Sequence, residues 1–156
     1  KSLDTLQKFT GRRPLGWMGP GLTQTFDTVD YLADAGIRYI CDWVHDDQPT
    51  MMTTKKGPLV TIPYTAELND IPMMIVQHHE SDHFLRRASE AFDRLYAESA
   101  QHTRIMSLAV HPYITGQPFR IGYFEKLYDM MRKKKGVLFW TGEQIYDWYL
   151  KARPQA

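Results

Sequence analysis

The stretch HHESDH contains the residue types of a metalloprotease signature. Its residues 79–83 fit the pattern H-E-x-x-H, in which two histidines one helical turn apart bind zinc and the glutamate activates water. That chemistry requires both histidines on one face of a continuous helix. Ser81 followed by Asp82 is instead typical of a helix start, and no H-x-x-G-x-x-H follows to supply a third ligand. The sequence therefore predicts no protease site. His79 and His83 stay open as an alternative metal site only if other ligands join them.

The elements that position these residues follow from the apolar pattern. Strands alternate with helices, which predicts an α/β fold with a largely parallel sheet and no internal linker. Helices are predicted around 3–9, 26–35, 82–97, 121–135 and 141–153. Strands are predicted at 37–43, 58–64, 104–111 and 137–140, a long loop at 44–57, and a strand or buried loop at 71–76.

Several details of the helix ends and faces can also be predicted. Thr23 or Thr25 can cap the second helix, and Gly36 is its expected stop. Phe26 and Tyr31 count among the apolar positions of that helix. Residues 141 and 144, Thr and Gln, fit a capping box for the last helix.

Composition excludes several classes of partner. The chain of 156 residues has a net charge of +1, so no bulk field attracts nucleic acid or a membrane surface. Its longest apolar runs are too short to span a bilayer. The single cysteine, Cys41, rules out an intrachain disulfide and favours a reducing, cytoplasmic compartment. We interpret Cys41 as a small core residue and not a nucleophile, because no histidine partner is evident nearby.

Five motifs occur in order along the chain: GRRPLGWMGPG, YICDWVHDDQP, PYTAELND, LAVHPYITGQPFR and LFWTGEQIYDWY. Together they resemble the polysaccharide deacetylase (NodB-homology) superfamily, and within it the allantoinase-like, cyclic-amide-hydrolase branch. The resemblance runs from about Gly11 to Tyr149. Each motif alone is weak, but their order makes the resemblance specific.

The resemblance implies a distorted (β/α)7-type barrel longer than this chain. The superfamily's acidic strand end and H-x-x-x-H helix start, which supply the catalytic acid/base and the metal ligands, would precede Lys1. We therefore expect residues 1–156 to form the C-terminal half of one barrel domain, with the N-terminal half absent or on a separate chain. A divalent metal, zinc by resemblance, would be bound by that other half. We also expect a homo-oligomer.

The resemblance also implies two catalytic residues. Arg13 matches the arginine of the superfamily's R-x-P motif and would orient a catalytic carboxylate through its planar donors. His111 matches the final L-x-H motif, ends a predicted strand and precedes Pro112. An imidazole there can protonate a leaving group near neutral pH. The alternatives are a solvated loop arginine and a structural histidine.

The remaining motif positions are implied to bind substrate. They are Trp17, Asp42, Trp43, Asp46, Asp47, Tyr64, Glu67, Asn69 and Asp70. For Asp46 and Asp47 a solvated surface pair is an equal alternative, and Asn69-Asp70 is also ordinary turn chemistry. The aromatic that sugar deacetylases carry after the Arg-Pro motif is replaced here by Leu15-Gly16, which favours a small substrate over a polymer.

The predicted function is hydrolysis of a non-peptide C–N bond in a small linear or cyclic amide. A second hypothesis is de-N-acetylation of an amino sugar or a peptidoglycan fragment. A third, from a different class, is an inactive half-barrel that serves as an assembly subunit.

Overall fold

The computed structural model describes residues 1–43 and 45–152. These residues form two compact units. The first comprises the described residues within Lys1–Pro63 and Trp140–Ala156, and the second comprises Tyr64–Phe139. Each unit has its own hydrophobic core. None of the helices in these described ranges combines the length and apolar character that crossing a bilayer requires.

The first unit is built on an open four-stranded sheet with the strand order β1-β2-β4-β3. β1 pairs with β2 and β2 with β4 in parallel, whereas β3 and β4 form an antiparallel hairpin. The strands are β1 Gly16–Trp17, β2 Tyr39–Ile40, β3 Thr50–Thr54 and β4 Gly57–Thr61. Three helices belong to this unit: α1 Ser2–Thr10, α2 Thr28–Asp34 and α5 Gly142–Ala152. A short 3-10 turn spans Pro20–Leu22.

The core of the first unit lies between α2 and the sheet. Its buried members are Leu32, Ala33, Ile37, Ile40 and Leu59. Apolar burial of this kind contributes roughly 25 cal/mol per Å² and holds the short strands in place.

The second unit is mainly helical. It contains a π-helical segment, Ile71–Val76, and two α-helices, α3 Ser81–Glu98 and α4 Ile121–Arg132. Phe84, Ala88 and Phe92 recur at helical spacing along the buried face of α3. They pack against Leu127 and Met131 of α4 in one cluster with Met73 and Ile114.

The structure confirms most of the predicted helices. α1, α3, α4 and α5 lie where the apolar period places them, and Gly36 ends the second helix with a positive φ of 89°. The capping box is also confirmed, since the Thr141 N–H donates to Gln144 Oε1 at 2.8 Å and the Gln144 N–H donates to Thr141 Oγ1 at 3.3 Å. Arg153, the predicted last residue of α5, lies outside the described residues.

The start of the second helix was wrongly predicted. α2 begins at Thr28 after Asp27, and neither Thr23 nor Thr25 caps it. Thr28 Oγ1 accepts a hydrogen bond from the Thr25 N–H at 2.9 Å instead. Because the helix starts later, Phe26 lies outside it. Both Phe26 and Tyr31 are exposed, so neither belongs to the buried apolar face that was predicted.

The predicted strands are correct only where a neighbouring strand offers partners. β2 lies within a predicted strand, and β4 begins one residue before the predicted strand 58–64 and ends at Thr61. The predicted loop 44–57 contains β3, whose threonines favour a strand; Val44 lies outside the described residues. The segment 71–76 is π-helical, so its prediction as a strand or buried loop was wrong. The prediction failed because a short apolar run does not distinguish a helix from a strand. Among the described residues, 137–140 forms no ladder and 104–111 forms only the isolated bridge at Ala109.

The capping box of α5 generates a stability prediction. Thr141→Ala removes the hydroxyl that accepts the Gln144 N–H, so we expect the free energy of unfolding to fall by about 1 kcal/mol. Urea unfolding followed by circular dichroism measures this change. Gln101→Ala, in an exposed turn, is the control and should change stability by less than about 0.5 kcal/mol. Equal effects of the two substitutions would contradict the capping role.

Cys41 follows β2 and is half-buried, and its N–H donates to the Trp17 carbonyl at 2.9 Å. Burial, with a smaller contribution from the Asp42 charge, raises the pKa of the Cys41 thiol to about 11. At pH 8 only about one such thiol in a thousand is ionised. We therefore expect iodoacetamide to alkylate Cys41 slowly, with a rate that rises about tenfold per pH unit towards pH 11. Rapid alkylation at pH 7, measured by mass spectrometry, would contradict the interpretation of Cys41 as an inert core residue.

Candidate active site

The second unit places His111 against the buried carboxylate of Asp70. His111 Nδ1 lies 2.6 Å from Asp70 Oδ1, and the His111 backbone N–H donates to Asp70 Oδ2 at 2.7 Å. The Thr115 hydroxyl donates to Asp70 Oδ2 at 2.6 Å. Asp70 has an exposed fraction of 0%, whereas the His111 side chain is 35% exposed. A buried acid thus holds a histidine that solvent can still reach.

Backbone pairing between two distant segments brings these residues together. The Ala109 N–H donates to the Leu68 carbonyl at 3.0 Å, and the Asp70 N–H donates to the Ala109 carbonyl at 3.1 Å. This single parallel bridge sets Asp70 beside the residues that follow Ala109. Within the predicted strand 104–111, this bridge is the one β-pairing that the described residues show. It places His111 next to Asp70.

The turn after His111 returns Thr115 to the same carboxylate. The N–H groups of Ile114 and Thr115 both donate to the His111 carbonyl at 2.9 Å. Gly116 lies so close to Pro112 that a Cβ atom there would stand 2.3 Å from the Pro112 carbonyl oxygen. The turn therefore requires a glycine at position 116.

This geometry determines the chemical form of the imidazole. The Asp70 carboxylate accepts a hydrogen bond from Nδ1–H, so in a neutral ring Nε2 is the atom that exchanges a proton with a bound molecule. An aspartate that orients and stabilises a histidine in this way is a recurring arrangement in acid–base catalysis.

Asp70 occupies a different place from the one that the sequence predicts. It was predicted to bind substrate, but its complete burial directs both oxygens to His111 and Thr115. The two motifs that contain Asp70 and His111 were both singled out, yet their pairing was missed because the connecting bridge is too short to show in the apolar pattern. Thr115 carries no sequence signal for its role.

The other residues of the PYTAELND segment have varied surroundings. Tyr64 is half-buried, and Asn69 Oδ1 accepts the Ile71 N–H at 3.0 Å, which is the turn bond of the alternative interpretation. Glu67 is exposed and borders a cavity of about 500 Å³ that Gln77 and Arg87 also line.

In the first unit, Asp42 and Trp17 both adjoin Gly19. Asp42 is only 4% exposed, and its Oδ1 accepts the Gly19 N–H at 2.6 Å. Its Oδ2 and the Trp17 Nε1 are buried and form no hydrogen bond within the described residues. A Cβ on Gly19 would lie 3.0 Å from Asp42 Oδ2 and 3.4 Å from Trp17 Nε1. Asp42 Oδ2 is a hydrogen-bond acceptor and Trp17 Nε1–H is a donor, and both lie near Gly19. An amide or a water molecule has the complementary donor and acceptor.

The rest of the Asp42 motif is less specific. The Trp43 ring packs against the first core and lies 5.1 Å from the His45 ring, centre to centre. Asp46 and Asp47 are exposed, and the Asp47 N–H donates to Asp46 Oδ1 at 2.7 Å. Their exposure agrees with the alternative of a solvated pair and leaves them accessible to a ligand.

Arg13 already has partners on its own unit. Its guanidinium donates to Asp4 Oδ1 at 2.9 Å, to Gln7 Oε1 at 3.2 Å and to the Ala35 carbonyl at 3.3 Å. The hydrogen bond from Arg13 is the largest of the effects that lower the pKa of the Asp4 carboxyl. These contacts join α1 to the end of α2. Orientation of a catalytic carboxylate by Arg13 stays a prediction.

The H-E-x-x-H residues do not form a zinc site. α3 begins at Ser81, so the motif straddles a helix start as predicted. The rings of His79 and His83 stack with centres 4.1 Å apart. His83 Nδ1 and Nε2 lie 2.7 and 3.0 Å from guanidinium nitrogens of Arg86 and Arg87.

Two arginines at the nitrogens of His83 would repel a divalent cation. Burial, His79 and these guanidinium groups lower the pKa of His83. Across the part of the chain that the structure describes, no group of three or more His, Cys, Asp or Glu side chains could hold a metal ion. The described residues therefore supply no further ligand to His79 and His83, and the alternative metal site stays a prediction that requires other ligands.

The turn at Gly116 generates a stability prediction. Gly116→Ala forces a Cβ against the Pro112 carbonyl, so we expect a loss of about 1–3 kcal/mol in the free energy of unfolding. Gly122→Ala is the matched control, because nothing lies within 4 Å of a Cβ there and alanine favours the α4 helix. It should be neutral or stabilising by up to about 1 kcal/mol. Urea unfolding measures both, and equal stability of the two variants would contradict the close approach.

Comparison with known proteins identifies relatives of the whole chain. No protein-family model matches it. A Schizosaccharomyces pombe protein, described as a polysaccharide deacetylase, is 33% identical over 132 residues, covering 80% of this chain and 38% of that protein. The crystal structure of a probable polysaccharide deacetylase from Pseudomonas aeruginosa matches with a TM-score of 0.88 at 27% identity. The crystal structure of an allantoinase matches with a TM-score of 0.90 at 28% identity.

The coverage of these matches is unequal. Each solved structure is matched over 99% of this chain but only 52% of its own. The chain thus spans about half of the solved relatives and 38% of the curated one. The open sheet of the first unit agrees with part of a deacetylase-type barrel. The resemblance predicted from the five motifs is confirmed, because the chain is similar in sequence and in structure to polysaccharide deacetylases and has an allantoinase among its structural relatives.

Proposed function

We propose that this chain carries the proton-donating part of a hydrolase that cleaves non-peptide C–N bonds in a small linear or cyclic amide. The observation that carries the proposal is the pairing of His111 with the buried Asp70. The relatives support it, since one is described as a polysaccharide deacetylase and another is an allantoinase.

His111 would act on the leaving nitrogen. When the C–N bond of an amide breaks, the departing nitrogen needs a proton, because an amide anion is a poor leaving group. Nε2–H of His111 would donate that proton, while Nδ1–H remains bound to Asp70 at 2.6 Å. Asp70 would keep the ring in one orientation, and Thr115 would hold Asp70 in turn.

We also propose substrate contacts on each of the two units, taken separately. Asp42 Oδ2 can accept an amide N–H, and Trp17 Nε1 can donate to an amide oxygen. The other proposed substrate contacts are Trp43, Asp46, Asp47, Tyr64, Glu67 and Asn69. Arg13 would orient a catalytic carboxylate if its guanidinium exchanges Asp4 for that group.

Because this chain spans only part of its relatives, the proposal also includes a metal, an N-terminal half of the barrel and other copies of the chain. A divalent metal, zinc by resemblance, does not fit the side chains of the described residues, so no step is assigned to it. Its ligands would lie in the N-terminal half of the barrel, either in a missing segment or on a companion chain. We also propose a homo-oligomer in the cytoplasm.

Substitution of the pair tests the proposal. His111→Ala removes the proton donor, so we expect kcat to fall about 10²- to 10⁴-fold with little change in KM. Asp70→Asn preserves the side-chain shape but removes the charge, and it should also lower kcat by at least about tenfold. His102→Ala, at an exposed histidine, is the control and should leave both constants unchanged. Steady-state kinetics on cyclic imides and ureides measures these effects, and an unaltered kcat in His111→Ala would refute the role.

De-N-acetylation of amino sugars is the second candidate, favoured by the name of the Schizosaccharomyces pombe relative. A panel of acetylated sugars and peptidoglycan fragments, run beside the cyclic imides, separates the two functions by relative kcat/KM. A chain that turns over neither class, alone or with a companion polypeptide, would support the third hypothesis of an inactive assembly subunit.

A further inference from the structure

An exposed aromatic side chain stands next to the proposed proton donor. The rings of Tyr113 and His111 lie 5.7 Å apart, centre to centre, at an interplanar angle of 63°. Tyr113 is nevertheless 65% exposed. A large aromatic surface that stays in water beside a reactive imidazole is available to a molecule bound at that imidazole.

The position of Tyr113 is set by the backbone of its turn. The N–H groups of Ile114 and Thr115, which follow it, donate to the His111 carbonyl. The Gln117 side-chain amide donates to the Tyr113 carbonyl at 3.1 Å. The ring is therefore placed beside His111 without being covered by a packed core. The turn that holds the proton donor also presents an aromatic surface.

We propose that Tyr113 is the specificity-determining wall of the His111 site and selects planar amides by contact with its ring. This inference rests on the proposed function, because it assumes that the amide nitrogen is held at His111 Nε2. Because the two rings are neighbours, we infer that a molecule held at Nε2 can reach the tyrosine ring. A cyclic imide offers a flat π surface to such a ring, whereas a short acyclic amide offers little area.

The ring and the hydroxyl of Tyr113 make different predictions. Stacking needs only the ring, so Tyr113→Phe should behave like the wild type, whereas Tyr113→Ala should not. Phe119 is the matched control. It is 67% exposed in the same loop, and its ring lies 4.8 Å from the Arg120 guanidinium carbon.

Steady-state kinetics with succinimide and acetamide tests the inference on the preparation that carries the activity. For Tyr113→Ala we expect the KM for succinimide to rise about 3- to 10-fold, with kcat within about twofold of the wild type. The KM for acetamide, and both constants in Phe119→Ala and Tyr113→Phe, should stay unchanged. An unchanged KM in Tyr113→Ala would overturn the inference, as would an equal rise in Phe119→Ala or in Tyr113→Phe.

A binding measurement keeps the inference testable without turnover. The chain is titrated with succinimide and, separately, with acetamide, and the tyrosine ring protons are followed by NMR. Succinimide should change the chemical shifts of the Tyr113 signals more than acetamide does. Tyr113→Ala should weaken succinimide binding by the same ~3- to 10-fold, with circular dichroism to verify folding. Equal binding of succinimide to wild type and Tyr113→Ala would overturn the inference. Activity retained by His111→Ala would instead refute the proposed function, so the two failures are distinguishable.

Discussion

The carboxylate of Asp70 is enclosed by protein, and a polar group in that position is tolerated only where donors replace the lost water. Three donors do so, from the His111 backbone, the His111 ring and the Thr115 hydroxyl. Because these donors come from residues 41 and 45 positions away along the chain, the carboxylate joins segments that share almost no ladder. Loss of one partner of such a group costs about 1–3 kcal/mol, so the order of the turn after His111 depends on it.

The buried aspartate of the first unit, Asp42, has fewer hydrogen bonds than Asp70. Asp42 receives one donor, the Gly19 N–H, and leaves its second oxygen without a partner among the described residues, beside a Trp17 indole N–H in the same condition. Asp70 is fully engaged by the protein, whereas Asp42 retains one free lone-pair direction. The two aspartates were given the same predicted role from their motifs, but their hydrogen bonds differ: Asp70 binds a histidine through both oxygens, whereas substrate binding by Asp42 stays a prediction.

The sequence predicts the helices well because each carries its own evidence. The stripe of Phe84, Ala88 and Phe92 fixes α3, and Thr141 with Gln144 marks the start of α5. Strands depend on a neighbour that the local pattern does not contain, which is why 137–140 was wrongly predicted and β3 was missed. The same limit applies to the site. His111 could be singled out from its own motif, but its pairing with Asp70 depends on a single bridge between Asn69 and Ala109.

The two hydrogen bonds from His111 to one carboxylate have a further effect on the ring. The backbone N–H binds one oxygen and Nδ1–H binds the other, so both the backbone and the ring of His111 are fixed to the same carboxylate. A histidine held at one end can still turn about its side-chain bonds, and the ordering of that motion would then oppose binding. Here the entropy of ordering the ring is lost when the second unit folds. The His111 ring is therefore preorganised, and under the proposed function a bound molecule would meet an imidazole whose orientation is already fixed.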